Sequence, residues 1–141
     1  MQLSEHFSYE ELIHTDHRIF DNTPTDAELS NLVRLAEFLE VVRAVLDDRA
    51  VLINSAFRSK AVNDSVGSKD TSQHRTGCAA DIRVSGLTPD QVVASIIASD
   101  IEYDQIINEF DRWTHISIPL EGVKPRKTAL IIDKLGVRHY A

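Results

Sequence analysis

Cysteine is nearly absent from this sequence, since Cys78 is the only one among 141 residues, so no internal disulfide can form. No apolar run approaches the roughly 18–20 residues that a membrane-spanning helix needs. The start of the chain also lacks the basic segment followed by an apolar one that marks a Sec-type export signal. The sequence therefore predicts a protein without a disulfide scaffold, a membrane span or a Sec-type signal.

Basic residues are also scarce, with 15 Lys and Arg against 22 Asp and Glu and a net charge of −7. This balance disfavours nucleic acid as a partner, because phosphate binding depends on clustered Lys and Arg. In contrast, 43% of the residues are apolar, which is enough to bury a sizeable core. Since the sequence shows no repeat or linker, we expect one domain over residues 1–141.

Hydrophobic periodicity predicts helices early in the chain and strands mostly later. The clearest element is an amphipathic helix of about twenty residues, capped by Thr25 with Glu28 and carrying leucines and valines three or four residues apart. Short helices are predicted near residues 8–15, 59–66 and 88–100. Strands are predicted at residues 51–53, 79–84, 103–109, 113–118 and 128–133. This order favours an α+β fold, with an antiparallel sheet packed against helices.

Three polar residues in or beside the predicted strands form a candidate metal site. Asp81 follows a run of small apolar residues, and His115 stands within another strand pattern. His74 lies in the polar segment that leads into the strand of Asp81. Two imidazoles and one carboxylate form a three-ligand set typical of catalytic zinc, which keeps a fourth position open. The alternative from the residues alone is that both histidines are structural.

Several separate motifs occur in an order that resembles the M15 zinc peptidases, and most closely their small phage and prophage members. This group includes D-Ala-D-Ala carboxypeptidases and phage L-alanyl-D-glutamate endopeptidases, which cut peptidoglycan peptides. The motifs are Ser55-Ala56-Phe57-Arg58-Ser59, Ser72-Gln73-His74 followed by Gly77 and Ala79-Ala80-Asp81-Ile82, Trp113-Thr114-His115-Ile116-Ser117, and the amino-terminal Asp21-Asn22-Thr23-Pro24.

The resemblance implies a role for five of these residues. His74, Asp81 and His115 would hold Zn²⁺ on the sheet. Arg58 corresponds to an arginine that contacts the scissile carbonyl or its oxyanion, a task suited to a permanently charged guanidinium, whereas the alternative is a surface salt bridge. Ser72 lies where some members place a substrate-contacting serine, and its alternative role is to close a turn in the loop.

The general base departs from the pattern of the family. Several members carry an acidic residue three positions before the last zinc histidine, where this sequence has Arg112. The nearest carboxylates belong to Glu109 and Asp111. A three-residue hairpin turn over 110–112 would place Glu109 on the face of His115, whereas a two-residue turn would favour Asp111. We prefer Glu109 as the base, with a solvent-exposed strand carboxylate as the alternative.

The resemblance thus implies a zinc metallopeptidase that hydrolyses peptidoglycan stem or cross-bridge peptides through a metal-activated water, by carboxypeptidase or endopeptidase action. Because Arg112 occupies the usual base position, the alternative is a catalytically silent, zinc-bearing phage structural or wall-binding module. We expect peptidoglycan peptides as partners, without nucleic acid or membrane, and no pattern specifies an oligomeric state. We also expect synthesis in the cytoplasm and action at the cell wall, through a phage lysis route or as a virion component.

Overall fold

Polar caps start the helices of this chain, whose residues 1–140 are described by a computed structural model. Ser8, Thr25 and Thr88 each accept a hydrogen bond from a backbone N–H in the first helical turn, and an acidic or amide side chain completes each capping box. Within residues 1–140, no helix combines the length and the apolar character that crossing a bilayer requires. The helices are α1 (Tyr9–Ile13), α2 (Asp26–Val45), α3 (Lys60–Ser65) and α4 (Pro89–Ser99).

Within residues 1–140, six strands form one sheet in the order β1-β2-β4-β3-β5-β6. The predicted α+β class is confirmed. The sheet is mixed rather than purely antiparallel, because β5 pairs in parallel with β3 while the other pairings are antiparallel. The strands are β1 (Val51–Ser55), β2 (Ala79–Val84), β3 (Gln105–Glu109), β4 (Trp113–Ser117), β5 (Thr128–Asp133) and β6 (Gly136–His139).

The two faces of the sheet have different roles. Ile82, Ile106 and Ile116 are fully buried and pack in one core with the apolar residues of α2 and α4. Because successive side chains on a strand point to opposite faces, Asp81 and His115 lie on the other face of β2 and β4. Helices α2 and α4 therefore support the sheet from one side and leave the opposite face, with Asp81 and His115, for a site.

Two elements are absent from the sequence prediction. One is β6, in which every residue is exposed, so it has no alternating burial pattern from which a strand is recognised. The other is a short 3-10 helix, Gln73–Thr76, which lies in the polar segment before β2. The 3-10 helix carries His74, so this irregular turn matters directly for the candidate site.

Candidate metal centre

Strand pairing brings Asp81 and His115 together. They are directly opposite each other in the antiparallel pair β2–β4, and His115 Nδ1 lies 3.1 Å from Asp81 Oδ1. Both side chains are largely buried, at 13% and 10% exposed. The sheet register alone therefore places a carboxylate oxygen and an imidazole nitrogen at one point.

The 3-10 helix delivers the third side chain. His74 Nε2 lies 3.3 Å from Asp81 Oδ1, and the helix ends at Gly77, whose φ of 82° is left-handed. A Cβ on Gly77 would come within 2.8 Å of the backbone oxygen of Glu28 in α2. Both the backbone conformation and the close approach therefore require glycine at this position.

A backbone carbonyl fixes the tautomer of His74. Its Nδ1 lies 2.6 Å from the oxygen of Ala56, and because a carbonyl only accepts, Nδ1 must carry the proton. Burial lowers the pKa of His74, although Asp81 opposes this shift, so the ring is neutral near pH 7. Its Nε2 therefore presents a lone pair towards Asp81, as in metal sites where the second ring nitrogen orients the ligand.

The donor set fits a cation. Burial acts to raise the pKa of Asp81, but the surrounding groups, above all the hydrogen bond from His115, outweigh burial and hold it well below its ordinary value, so the carboxylate is charged. The ligand atoms of His74, Asp81 and His115 all lie within 4.8 Å of one another. A carboxylate that faces a lone pair is stabilised when a positive charge lies between them. Two imidazoles favour zinc or a similar transition metal over calcium or magnesium.

Glu109 also faces this cluster. The hairpin turn spans residues 110–112, and Glu109 pairs with Trp113 at its base, which is the three-residue turn that favours Glu109 in the sequence analysis. Its Oε1 lies 3.9 Å from His115 Nδ1. Burial and the negative charge of Asp81 raise the pKa of Glu109, against the effects of His115 and Trp113. A carboxyl with a raised pKa near a metal site is well suited to exchange protons.

Asp111, the other candidate base, points elsewhere. Its Oδ1 is within 3.5 Å of the Asn108 amide nitrogen, and it lines a separate cavity with Ile131 and Leu135. Asp111 has a φ of 54°, a left-handed conformation that Asp and Asn tolerate better than other residues. The hairpin thus brings Glu109 to the histidines and leaves Asp111 in the turn.

Arg58 lies beside the cluster in an open cleft of about 480 Å³ that also contains Asp81, Glu109 and Trp113. Burial lowers the pKa of Arg58, and the charges of Asp81 and Glu109 oppose that shift, but a guanidinium stays protonated in proteins. Its Nε is buried without a hydrogen-bond partner among residues 1–140. The side chain therefore offers positive charge to the cleft rather than forming the surface salt bridge considered from the sequence.

A buried asparagine holds the backbone on both sides of Arg58. The Asn22 side chain donates to the oxygens of Ile13 and Phe57 and accepts from the backbone N–H of Ser59. These bonds join the amino-terminal segment to the loop that follows β1. The Asn22 side chain therefore fixes the backbone around Arg58.

One wall of the cleft has no signal in the sequence. Residues 14–17, which include His14, Asp16 and His17, line the cleft together with Arg58 and Trp113. His14 Nε2 lies 3.3 Å from Asp16 Oδ1. No spacing pattern links these residues to His74 or His115, because the contact arises when the amino-terminal segment folds onto the loop after β1.

Ser72 lies apart from this cleft. Its hydroxyl oxygen accepts a hydrogen bond from the backbone N–H of His74 and caps the 3-10 helix. Ser72 lines a neighbouring pocket of about 290 Å³ with Gln73, Asp104 and Arg126. The observed contact matches the turn-closing alternative, and the substrate contact implied by the resemblance stays a prediction.

An ion pair at this neighbouring pocket supports the turn that carries His74. Asp104, 5% exposed, binds the guanidinium of Arg126 at 2.7 Å and accepts a hydrogen bond from the side chain of Gln73. Burial acts to raise the pKa of Asp104, but the hydrogen bonds from Arg126 and Gln73 outweigh burial and lower it. The start of β3, the loop before β5 and the 3-10 helix are thus joined through one carboxylate.

Asp104→Asn should lower the free energy of unfolding at pH 7 by about 1–3 kcal/mol, the usual range for losing hydrogen bonds to a charged group. A carboxylate whose pKa is lowered in the folded state contributes stability above the ordinary Asp pKa. This contribution is lost as the pH falls from that value through the lowered pKa. The difference from wild type should therefore shrink as the pH falls below about 4. Urea unfolding of both proteins at pH 7 and below about pH 4 measures this difference in the free energy of unfolding.

Asp100→Asn is the matched control for this ion pair. The Asp100 carboxylate is 94% exposed, and its ion pair with Lys127 at 3.4 Å lies at the surface. Its replacement should therefore change stability by less than about 0.5 kcal/mol. Equal effects of the two substitutions would contradict the structural role of Asp104.

His74, Asp81 and His115 form a cluster that could hold a metal ion, and Asp81 also lines an open cleft with Glu109 and Arg58. This arrangement on an α+β sheet is typical of a metal-dependent hydrolase. Residues 5–117 match the family described as Peptidase M15. The chain therefore belongs to the M15 peptidase family. No curated protein matches it. The match ends at Ser117, so β5 and β6 extend the sheet beyond the matched region.

Proposed function

We propose that this M15 peptidase is zinc-dependent and hydrolyses a peptide bond in the stem or cross-bridge peptides of peptidoglycan. The main support for this proposal is the arrangement of four side chains. His74, Asp81 and His115 converge on one point, and the Glu109 carboxylate faces the same point from the adjacent strand. Ligands and a proton acceptor are thus already arranged around one reaction centre.

Each residue has a chemical task in this proposal. When bound by His74, Asp81 and His115, zinc supplies Lewis acidity that makes water more acidic and polarises a carbonyl. Glu109 accepts a proton from the attacking water and passes it to the amine that leaves. Arg58 stabilises negative charge on the oxygen of the scissile carbonyl. Arg58, Asp81 and Glu109 line the same cleft, and both histidines contact Asp81.

The open cleft supports a peptide substrate. The cleft is open to solvent, and charged groups of both signs line it, among them Arg58, Asp81 and Glu109. An extended peptide can present its carbonyl to Arg58 and the metal ligands from this side. We propose that the protein meets its substrate at the cell wall, through a phage lysis route or as a virion component.

The silent, wall-binding alternative depends on Arg112 at the usual base position. Arg112 lines a different cavity, which it shares with Thr114 and Leu52, and it does not enter the cleft. Glu109 supplies the carboxylate there instead. This placement favours the peptidase over the silent module.

Digestion of purified peptidoglycan with zinc-loaded protein, followed by mass spectrometry, tests the proposal. Endopeptidase action creates new amino termini within the stems, whereas carboxypeptidase action releases single terminal residues. The chelator-treated protein should be inactive, and readdition of zinc should restore the products. Stoichiometric zinc and wall binding without any cut peptide would instead support the silent module.

A further inference from the structure

The two oxygens of the Glu109 carboxylate have different surroundings. Oε1 faces the metal cluster and lies 3.9 Å from His115 Nδ1. Oε2 accepts a hydrogen bond of 3.0 Å from the indole Nε1 of Trp113. The rotation of the carboxylate is therefore set by a side chain outside the ligand set.

Strand pairing makes this contact possible. Glu109 and Trp113 are directly opposite each other at the end of the β3–β4 hairpin, where cross-strand side chains are close neighbours. Because Trp113 is two residues from His115 on the same strand, its side chain lies on the same face. The hairpin therefore fixes the indole, the carboxylate and the imidazole relative to one another.

The carboxylate needs such a partner. Glu109 is only 23% exposed, and the like charge of Asp81 opposes its approach to the cluster. Without a donor, a partly buried carboxylate is stabilised by turning towards water. An indole N–H suits this position because it only donates, so it orients the carboxylate without competing for the proton that Glu109 exchanges.

We propose that Trp113 is a positioning residue, whose indole N–H holds Glu109 Oε2 so that Oε1 faces the reaction centre. This inference rests on the proposed function, in which Glu109 is the general base. It assigns the conspicuous aromatic residue beside His115 a polar task rather than one in packing or in contact with substrate.

The first experiment needs neither zinc nor activity. Trp113 is the only tryptophan in the chain, so a ¹H–¹⁵N spectrum of the metal-free protein contains one tryptophan indole resonance. Glu109→Gln should move that resonance upfield, because a neutral acceptor replaces a charged one. Asp111→Asn is the matched control and should leave it in place. An indole resonance that is unchanged in Glu109→Gln overturns the contact, whatever the protein does to peptidoglycan.

The second experiment measures catalysis in a double-mutant cycle. Trp113→Phe keeps an aromatic ring and removes the N–H, so kcat should fall about 10–100-fold, the range for losing a hydrogen bond to a charged group. KM should change less than about twofold and zinc content should be unchanged, because the carboxylate is misaligned only for the chemical step. In a Glu109→Gln background the same change should have little further effect.

Three outcomes of the cycle contradict the positioning role. An unchanged kcat in Trp113→Phe shows that the indole N–H is dispensable. A rise in KM alone assigns Trp113 to substrate binding. An equal loss in the wild-type and Glu109→Gln backgrounds shows that Trp113 acts independently of Glu109. Wild-type protein without zinc or hydrolysis would reject the proposed function, while the spectrum would still decide on the contact.

Discussion

Replacing His74, Asp81 or His115 by alanine should lower zinc affinity by more than about 100-fold and remove cell-wall hydrolysis. Residues that merely orient ligands already contribute about 10–100-fold to metal affinity, so losing one of three ligands has a larger effect. Asp81 should be the most sensitive of the three, because its Oδ1 lies within 3.3 Å of both imidazoles. Its removal also leaves two buried histidines without their shared carboxylate.

Zinc content after dialysis and competition with a chromophoric chelator measure this loss directly. Zinc should also raise the melting temperature of wild-type protein but not of the variants, since a ligand that binds only the folded state stabilises it. His139→Ala is the matched control, because His139 lies on the exposed strand β6. Wild-type affinity in all three variants would show that the ligand assignment is wrong.

The sequence contains enough information for the helices and most strands because their signals are local. Thr25 caps α2, and Leu32, Leu35 and Leu39 follow at helical spacing and are fully buried. Strand β2 also has the bounds expected from its apolar residues. In each case, the apolar residues form a pattern within one element. The element can therefore be predicted without knowing what it packs against.

Features that depend on distant contacts escape such reasoning. The parallel pairing of β5 with β3 is a property of chain crossover, and both directions of pairing are compatible with the apolar residues of β5. Similarly, Arg126 before β5 binds Asp104 before the neighbouring strand β3, with no spacing that links the two in sequence. These features require the tertiary arrangement, whereas the three metal ligands are predicted from their residue types and strand patterns and from motifs that resemble those of a known family.

The register of the β3–β4 hairpin is only partly predictable from local sequence. The sequence is compatible with a hairpin turn of two or three residues, with Asp111 or Glu109 respectively as the nearer carboxylate. The structure has Phe110 and Asp111 in left-handed conformations and Glu109 opposite Trp113. Backbone conformation within three residues thus determines which carboxylate reaches the reaction centre.

Glu109→Gln should accordingly reduce kcat about 100-fold or more while keeping the fold and the zinc, because the amide preserves size and removes the proton acceptor. Asp111→Asn should change kcat less than about twofold. Its carboxylate contacts Asn108 rather than the cluster, and asparagine tolerates the same left-handed turn position. Hydrolysis kinetics on a soluble stem peptide, with zinc content measured for each variant, provide the comparison.

Comparing the two variants tests both the register of the hairpin and the identity of the general base. If Asp111→Asn is inactive and Glu109→Gln is active, the hairpin in solution has the two-residue register, and the contact between Glu109 and Trp113 is absent as well. Full activity in both variants would exclude both carboxylates as the base. Loss of zinc together with activity in Glu109→Gln would assign Glu109 to the metal rather than to the proton, since a general base is dispensable for metal binding and a ligand is not.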